Sequence, residues 1–254
     1  MRIKIQHFVI FLTLAFFSSC KKEANHLTEL KIKEIEISDN LPENDSITAF
    51  IAPFKKHINT TLDEPLAYSP KTLSKSDGEL NTAIGNLMAD IVMEMSNPVF
   101  NSRTEKNIDF VLLNHGGIRS VISEGKVTAR TAYEVMPFEN KVVVVEITAN
   151  KVNEMLTYLT ERQRAHPISN NLQIVLNKDN TLNKALINGE AIDKNKTYYV
   201  ATSDYLSNMG DNMTFFKDPI SITETDYLIR NEMIDYFKKV DTIAPVIDNR
   251  FIKL

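Results

Sequence analysis

The chain has 254 residues, 43% of them hydrophobic, with 29 basic residues, 33 acidic residues and one cysteine. A single cysteine excludes an intrachain disulfide, and the net charge of −4 argues against nucleic acid as a partner, because such proteins present a basic face. Without residues 1–19, which contain Arg2 and Lys4 and no acidic residue, the balance is 27 basic against 33 acidic residues, a net −6.

The N-terminus has the pattern of a secretion signal. A basic start precedes an apolar run from Phe8 to Phe17, which is shorter than the roughly 20 residues that a membrane-spanning helix needs. Small residues and then Cys20 follow, and this order resembles a bacterial lipobox. We predict a signal peptide over residues 1–19, lipidation of Cys20 and a lipoprotein of the cell envelope, on the periplasmic or surface face of the outer membrane. The alternative is an ordinary secretion signal with a chance cysteine.

Residues 20–46 are polar and of mixed charge, and we predict that they tether the membrane anchor to a folded domain. The alternation in residues 29–37 would also suit one short edge strand. Residues 47–254 are enough for one domain, which opens with a predicted helix over Ile47–Ile58 that Pro53 breaks.

The next elements follow from hydrophobic periodicity. Apolar residues between Ile84 and Met95 recur at i, i+3, i+4, i+7, i+8 and i+11, which predicts an amphipathic helix. The further predicted elements, in chain order, are a buried strand (108–114), a short strand and helix (127–136), an apolar strand (141–147), a helix capped by Asn150 (150–163), a β-meander with a hairpin turn at Asn188-Gly189 (172–204) and a last helix (226–239). Mixed elements with antiparallel character in the second half predict an α+β domain with helices outside mixed sheets.

Three loops carry residue types suited to binding a ligand. In the first, residues 114–119 (NHGGIR), the glycines permit close approach of a ligand to the backbone and the arginine offers a fork for phosphate or carboxylate. The alternative is a strand-to-loop bend with a solvated arginine.

The second and third loops each contain an aromatic residue. Phe138 could stack on a flat ring, although a phenylalanine beside four valines is also typical of a core. Tyr205 and Asp211 could hold a base and a ribose hydroxyl, or belong to an ordinary turn stabilised by an aspartate.

The order and spacing of these loops resemble the C-terminal domain of the 5′-nucleotidase family, which includes periplasmic UDP-sugar hydrolases. That family has the motifs Asn-x-Gly-Gly-Ile-Arg, Pro-Phe-Gly-Asn before a valine-rich strand, and Asn-Phe-x-x-x-Gly-Gly-Asp-Gly. They correspond here to residues 114–119, 137–140 and 204–212. The resemblance extends from about Ser69 to Phe216 and implies a layered α/β/β/α fold.

The resemblance also implies a substrate site. The residues that it assigns to substrate binding are Asn114, Gly116, Gly117, Arg119, Phe138, Asn140, Tyr205 and Asp211. The two aromatic rings would clamp the base, the aspartate would bind the ribose, and the asparagines and the arginine would supply polar contacts, including those to phosphate. Stacking of this kind contributes roughly 1–3 kcal/mol per base.

This sequence departs from the family pattern at several positions. His115 and Tyr205 stand where the family has glycine and phenylalanine, and residues 209–213 (MGDNM) replace Gly-Gly-Asp-Gly-Tyr. The family often has an arginine upstream of its Gly-Asn-Leu helix, whereas residues 74–87 here contain acidic residues and no arginine. We therefore expect weaker phosphate binding.

The catalytic half of the family binds two metals through motifs such as Asp-x-His and Gly-Asn-His-Glu, and this sequence has neither. Its histidines are scattered: His7, His26, His57, His115 and His166. Two-metal hydrolysis needs a bridging carboxylate and several imidazoles. We therefore expect no catalytic residue, metal or cofactor in this chain, with divalent metals only in a partner. A general-acid role for His115 is conceivable, but a solvated or loop-packing role is favoured.

These observations predict a substrate-recognition domain of a split 5′-nucleotidase or UDP-sugar hydrolase. It would bind a 5′-nucleotide for hydrolysis by a separate metallophosphatase chain, as part of nucleotide catabolism, and would not be catalytic alone. The alternatives are a non-catalytic nucleotide- or nucleoside-binding lipoprotein and a degenerate structural domain.

Overall fold

The computed structural model describes residues 5, 9–10, 12–13, 27–38 and 41–254. The predicted lipidation at Cys20 and most of the predicted signal lie outside these residues. Residues 27–38 form neither helix nor strand. None of the helices in the described part of the chain has the length and apolarity that a membrane crossing requires.

The chain divides into residues 1–50 and residues 51–254. Within residues 41–254 the helices are α1 (Asp45–Leu62), which crosses that boundary, α2 (Ala83–Thr104), α3 (Ala129–Val135), α4 (Ala149–Arg162), α5 (Asp204–Ser207) and α6 (Ile229–Lys239). The strands are β1 (Pro65–Ser69), β2 (Phe110–Val111), β3 (Gly125–Thr128), β4 (Lys141–Thr148), β5 (Leu172–Leu176), β6 (Leu182–Ile187), β7 (Glu190–Ala191), β8 (Thr197–Ser203), β9 (Ser221–Leu228) and β10 (Phe251–Lys253). Short 3₁₀ turns are formed by His115–Gly117, Gly210–Asn212 and Thr214–Phe216.

The two four-stranded sheets are mixed, since each contains a parallel pair and antiparallel pairs. One four-stranded sheet has the order β2-β8-β4-β9, a second has the order β10-β5-β6-β7, and β1 pairs with β3. In the first sheet β2 runs parallel to β8, while β4 is antiparallel to both β8 and β9. The predicted fold class is therefore confirmed.

The four valines of β4 show why this strand is apolar throughout. Successive side chains of a strand point to opposite faces. Val142 and Val144 belong to one buried cluster with α2 and α6, and Val143 and Val145 belong to another with α4 and β5. Because both faces of the sheet are covered, the strand carries no polar alternation.

Two predictions about helices were wrong, one for α1 and one for the N-terminal cap of α4. The helix α1 continues through Pro53 and ends at Leu62. Its residues around the proline are exposed, so water can satisfy the carbonyl group that the proline leaves without a donor. The helix α4 is capped by Thr148 and not by Asn150: the Thr148 hydroxyl accepts the backbone N–H of Lys151.

Three strand predictions also need correction. The strand expected over 108–114 is only β2, because Leu112 makes an isolated bridge to Ile168 instead of extending the ladder. The meander ends at β7, since β8 crosses to the other sheet. The eight-residue strand β9 was not predicted, and the last helix therefore starts at Ile229.

Candidate functional site

One cavity of about 340 Å³ is lined by all eight residues assigned from the sequence. They are Asn114, Gly116, Gly117, Arg119, Phe138, Asn140, Tyr205 and Asp211. Small-molecule pockets in proteins usually have volumes of about 300–1,000 Å³. The structure thus brings the three separate loops together around one space of suitable size. Their role in binding stays a prediction.

The first loop is a short helical turn that follows the extended residue Asn114. A Cβ at Gly117 would lie 2.9 Å from Oδ1 of Asn114, so only glycine allows this amide to lie against the turn. Neither Gly116 nor Gly117 has a positive φ, so neither is needed for a left-handed backbone. The glycines therefore matter for close approach.

Two histidines, His115 and His166, make the contacts that hold this turn in place. His166, which is 3% exposed, accepts the backbone N–H of His115 at its Nδ1 (3.3 Å). Burial lowers the pKa of His166 to about 4, so the ring is neutral and able to accept. Nδ1 of His115 lies 3.2 Å from the carbonyl oxygen of Ala165, and burial also lowers the pKa of His115. These contacts are those of a loop-packing histidine.

Asp211 is the centre of a hydrogen-bond network within the pocket. Its Oδ2 accepts from Nδ2 of Asn114 (2.8 Å) and its Oδ1 accepts from the hydroxyl of Tyr205 (3.1 Å). Its backbone carbonyl accepts from the hydroxyl of Tyr158 (2.9 Å), a residue that the sequence did not indicate. An ionised carboxylate has about four acceptor positions, so two remain for a ligand.

The aromatic side chains form two walls of the cavity. Phe138 is 42% exposed and Tyr205 is 46% exposed, so the alternative that Phe138 is a core residue was wrong. A Cβ at Gly210 would lie 2.5 Å from the ring of Tyr205, which shows that the ring rests on the backbone of Gly210. The guanidinium of Arg119 lies 5.8 Å from the centre of the Phe138 ring.

A second cation lies beside the first loop. Nζ of Lys75 donates to the carbonyl of Ile118 (2.9 Å), the residue before Arg119. Lys75 was not among the predicted site residues, although it is the one basic residue of residues 74–87, the stretch in which the family often has an arginine.

The donor groups of the pocket do not fit a two-metal centre. Such a centre needs a bridging carboxylate and several imidazoles, whereas the pocket offers the single carboxylate of Asp211 beside the cation Arg119. Elsewhere in the described ranges, no three His, Cys, Asp or Glu side chains are grouped where they could hold a metal ion.

Comparison with known proteins agrees with this architecture. The model of the 5′-nucleotidase C-terminal domain family matches residues 60–218, which is more than half of the chain. The chain therefore belongs to the 5′-nucleotidase C-terminal domain family, as its motifs predicted.

Relatives and solved structures extend the match. The protein UshA of Escherichia coli is 24% identical over 218 residues, which are 82% of this chain and 37% of UshA. The trifunctional nucleotide phosphoesterase YfkN of Bacillus subtilis is 22% identical, over 85% of this chain and 16% of YfkN.

The structure of a 5′-nucleotidase precursor from Thermus thermophilus has a TM-score of 0.67 at 20% identity, covering 83% of this chain and 42% of that one. For the NAD nucleotidase of Haemophilus influenzae the TM-score is 0.61 at 19% identity, over 85% and 43%. The chain spans less than half the length of each of these proteins.

Proposed function

We propose that the cavity binds the nucleoside part of a 5′-nucleotide, which a separate metallophosphatase chain then hydrolyses. The observation that carries the proposal is that two exposed aromatic rings, Phe138 and Tyr205, and a fixed carboxylate, Asp211, line one cavity. The names of the relatives support a nucleotide, since they include a nucleotide phosphoesterase and an NAD nucleotidase.

Each part of a nucleotide has a suitable group in the pocket. The base would stack on the aromatic rings, each stacking contact contributing roughly 1–3 kcal/mol. The ribose hydroxyls would donate to the free acceptor positions of Asp211. Arg119, with Lys75 beside its loop, would face the phosphate, for which a guanidinium fork is well suited.

The same pocket is the reason for assigning nucleotide binding to this chain and hydrolysis to a second one. Its groups can orient a nucleotide, but they do not fit a two-metal centre, so we assign hydrolysis to another polypeptide. The predicted signal and the predicted lipidation of Cys20 would place both steps at the cell envelope.

Titration calorimetry with adenosine and AMP tests the recognition step. Phe138→Ala and Tyr205→Ala should each weaken binding about 10- to 100-fold, the loss expected for one stacking contact. Tyr68→Ala is the matched control, because Tyr68 is 47% exposed and lies outside the pocket. If no nucleotide or nucleoside gives a binding signal, the proposal fails and a structural domain is favoured.

A phosphate-release assay tests the division of labour. The purified chain, incubated with AMP and Mg²⁺ or Mn²⁺, should release no phosphate above the rate of the buffer. Metal-dependent release by this chain alone would contradict the assignment of hydrolysis to a partner.

A further inference from the structure

We propose that Arg230 is a positioning residue for the aromatic wall of the pocket. It holds the loop of residues 137–140 so that Phe138 faces the cavity. The ligand in this inference rests on the proposed function, whereas the attachment of the loop is a property of the fold. Arg230 belongs to none of the sequence motifs, and it does not line the cavity.

The first contact is between the arginine and the loop backbone. Arg230 is in the first turn of α6 and is only 6% exposed. Its Nη1 donates to the carbonyls of Pro137 (3.2 Å) and Phe138 (3.4 Å). The preceding residue, Ile229, donates its backbone N–H to the carbonyl of Asn140 (3.0 Å). The start of α6 thus satisfies three of the four carbonyls of this loop.

The second contact fixes the plane of the guanidinium. Its central carbon lies 4.2 Å from the centre of the Tyr133 ring, on the helix that leads into the loop. Its Nη2 lies 3.9 Å from Oε1 of Glu139, a side chain that is 85% exposed. A planar fork can stack on a ring and donate to two carbonyls at once, which the ammonium group of a lysine does not do.

The need for this attachment follows from the exposure of Phe138. The ring is 42% exposed, so packing alone fixes it weakly, and its direction depends on the backbone of residues 137–140. Nε of Arg230 is buried without a hydrogen-bond partner among the described residues. The contacts that offset the burial of this charge are therefore those of the rest of the guanidinium, with the ring of Tyr133, the loop carbonyls and Glu139.

A double-mutant cycle measures the coupling between the arginine and the ring. The adenosine affinity is determined by calorimetry for the wild type, Arg230→Met, Phe138→Ala and the double variant. Arg230→Met should weaken binding about 10-fold in the wild type but less than about 2-fold when Phe138 is already alanine. A merely structural role would lower the affinity by the same factor in both backgrounds, and that result, or an unchanged affinity in Arg230→Met, overturns the proposal.

Amide hydrogen exchange gives a second readout that needs no ligand. In Arg230→Met the amides of residues 138–140 should exchange at least about 10-fold faster, while those of the core of β4 keep their protection. Arg103→Met is the matched control, because Arg103 also donates to two consecutive carbonyls, those of Glu224 and Thr225, outside the pocket. It should change neither the affinity nor the exchange of residues 138–140.

Two further outcomes remain decisive. If Arg230→Met does not fold, Arg230→Lys, which keeps the charge and loses the fork, takes its place in both measurements with the same expectations. If the wild type binds neither adenosine nor AMP, the proposed function fails, and the exchange experiment still decides whether Arg230 holds the loop. Unchanged exchange at residues 138–140 overturns the inference.

Discussion

The hydroxyl of Tyr205 donates a hydrogen bond to Oδ1 of Asp211 (3.1 Å), so the residue proposed to bind the base is linked directly to the residue proposed to bind the ribose. The same hydroxyl accepts the backbone N–H of Asp211 (3.2 Å). The phenylalanine of the family motif cannot form this link. The tyrosine therefore occupies one acceptor position of Asp211, and without its hydroxyl about three positions instead of two would be open to a ribose.

Tyr205→Phe should strengthen adenosine binding about 3- to 10-fold, because it keeps the stacking ring and removes the competing donor from Asp211. This change corresponds to one hydrogen bond of roughly 1 kcal/mol. The affinity for adenine, which has no ribose, should not change. The measurement is the ratio of the two affinities by calorimetry.

The opposite result is equally informative for this substitution. If the hydroxyl serves mainly to hold the ring in place, Tyr205→Phe will weaken the binding of adenosine and adenine alike. Asp211→Asn is the companion variant: it should weaken adenosine binding and leave adenine binding unchanged, because it removes the charged acceptor.

Gly210→Ala should displace the ring of Tyr205. The new Cβ would lie 2.5 Å from two ring atoms and 2.6 Å from the backbone oxygen of Tyr205, so the ring or the turn must move. We expect a loss of adenosine affinity of about 10-fold or more, as for loss of one stacking contact. The control is Tyr68→Ala, at an exposed residue outside the pocket, which should leave the affinity unchanged. Equal effects of the two substitutions would contradict this view of the ring.

The three candidate loops could be predicted from the sequence because their residues are unusual locally. Glycines next to a buried strand, and an aromatic residue with an acid on one loop, are informative even before the fold is known. Their order then placed them in a family, and the structure gathered all eight into one cavity.

The supporting residues could not be predicted in the same way. Each of these residues makes a hydrogen bond with a residue far away in the sequence: the separation is 53 residues for Tyr158, 51 for His166 and 92–93 for Arg230. No periodicity encodes such contacts, and each residue alone resembles an ordinary surface or core residue. The strand β9 was missed for a related reason: it pairs on one side only, and its residues are mostly polar or exposed.

Lys75→Met should reduce the preference of the pocket for AMP over adenosine. The ammonium group donates to the carbonyl of Ile118, beside Arg119, and would add a second positive charge near the phosphate. We expect AMP affinity to fall about 3- to 10-fold in low salt, with adenosine affinity unchanged, and the difference to shrink as salt is added. Lys126→Met, at an exposed lysine of β3, is the control. An equal loss for AMP and adenosine would show that Lys75 only stabilises the loop.

His166 should make stability depend on pH below neutrality. Its pKa is about 4 in the folded protein, against 6.5 for an ordinary histidine. Between these pH values the unfolded chain binds more protons at this residue than the folded protein does. The contribution of neutral His166 to the free energy of unfolding is therefore complete above pH 6.5 and is lost as the pH falls toward 4. The maximum loss is roughly 3 kcal/mol. His166→Asn keeps an acceptor for the His115 N–H and removes the titration.

Urea unfolding at a series of pH values measures this contribution. Between about pH 7 and pH 4 the wild type should lose roughly 2–3 kcal/mol more of its free energy of unfolding than His166→Asn does. The other titrating groups, including His115, are present in both proteins and cancel in the difference. An NMR titration of the His166 ring should give a midpoint near pH 4. Parallel stability curves would show that His166 is not held neutral beneath the loop, and the support that it gives to the Asn114 turn would then need another explanation.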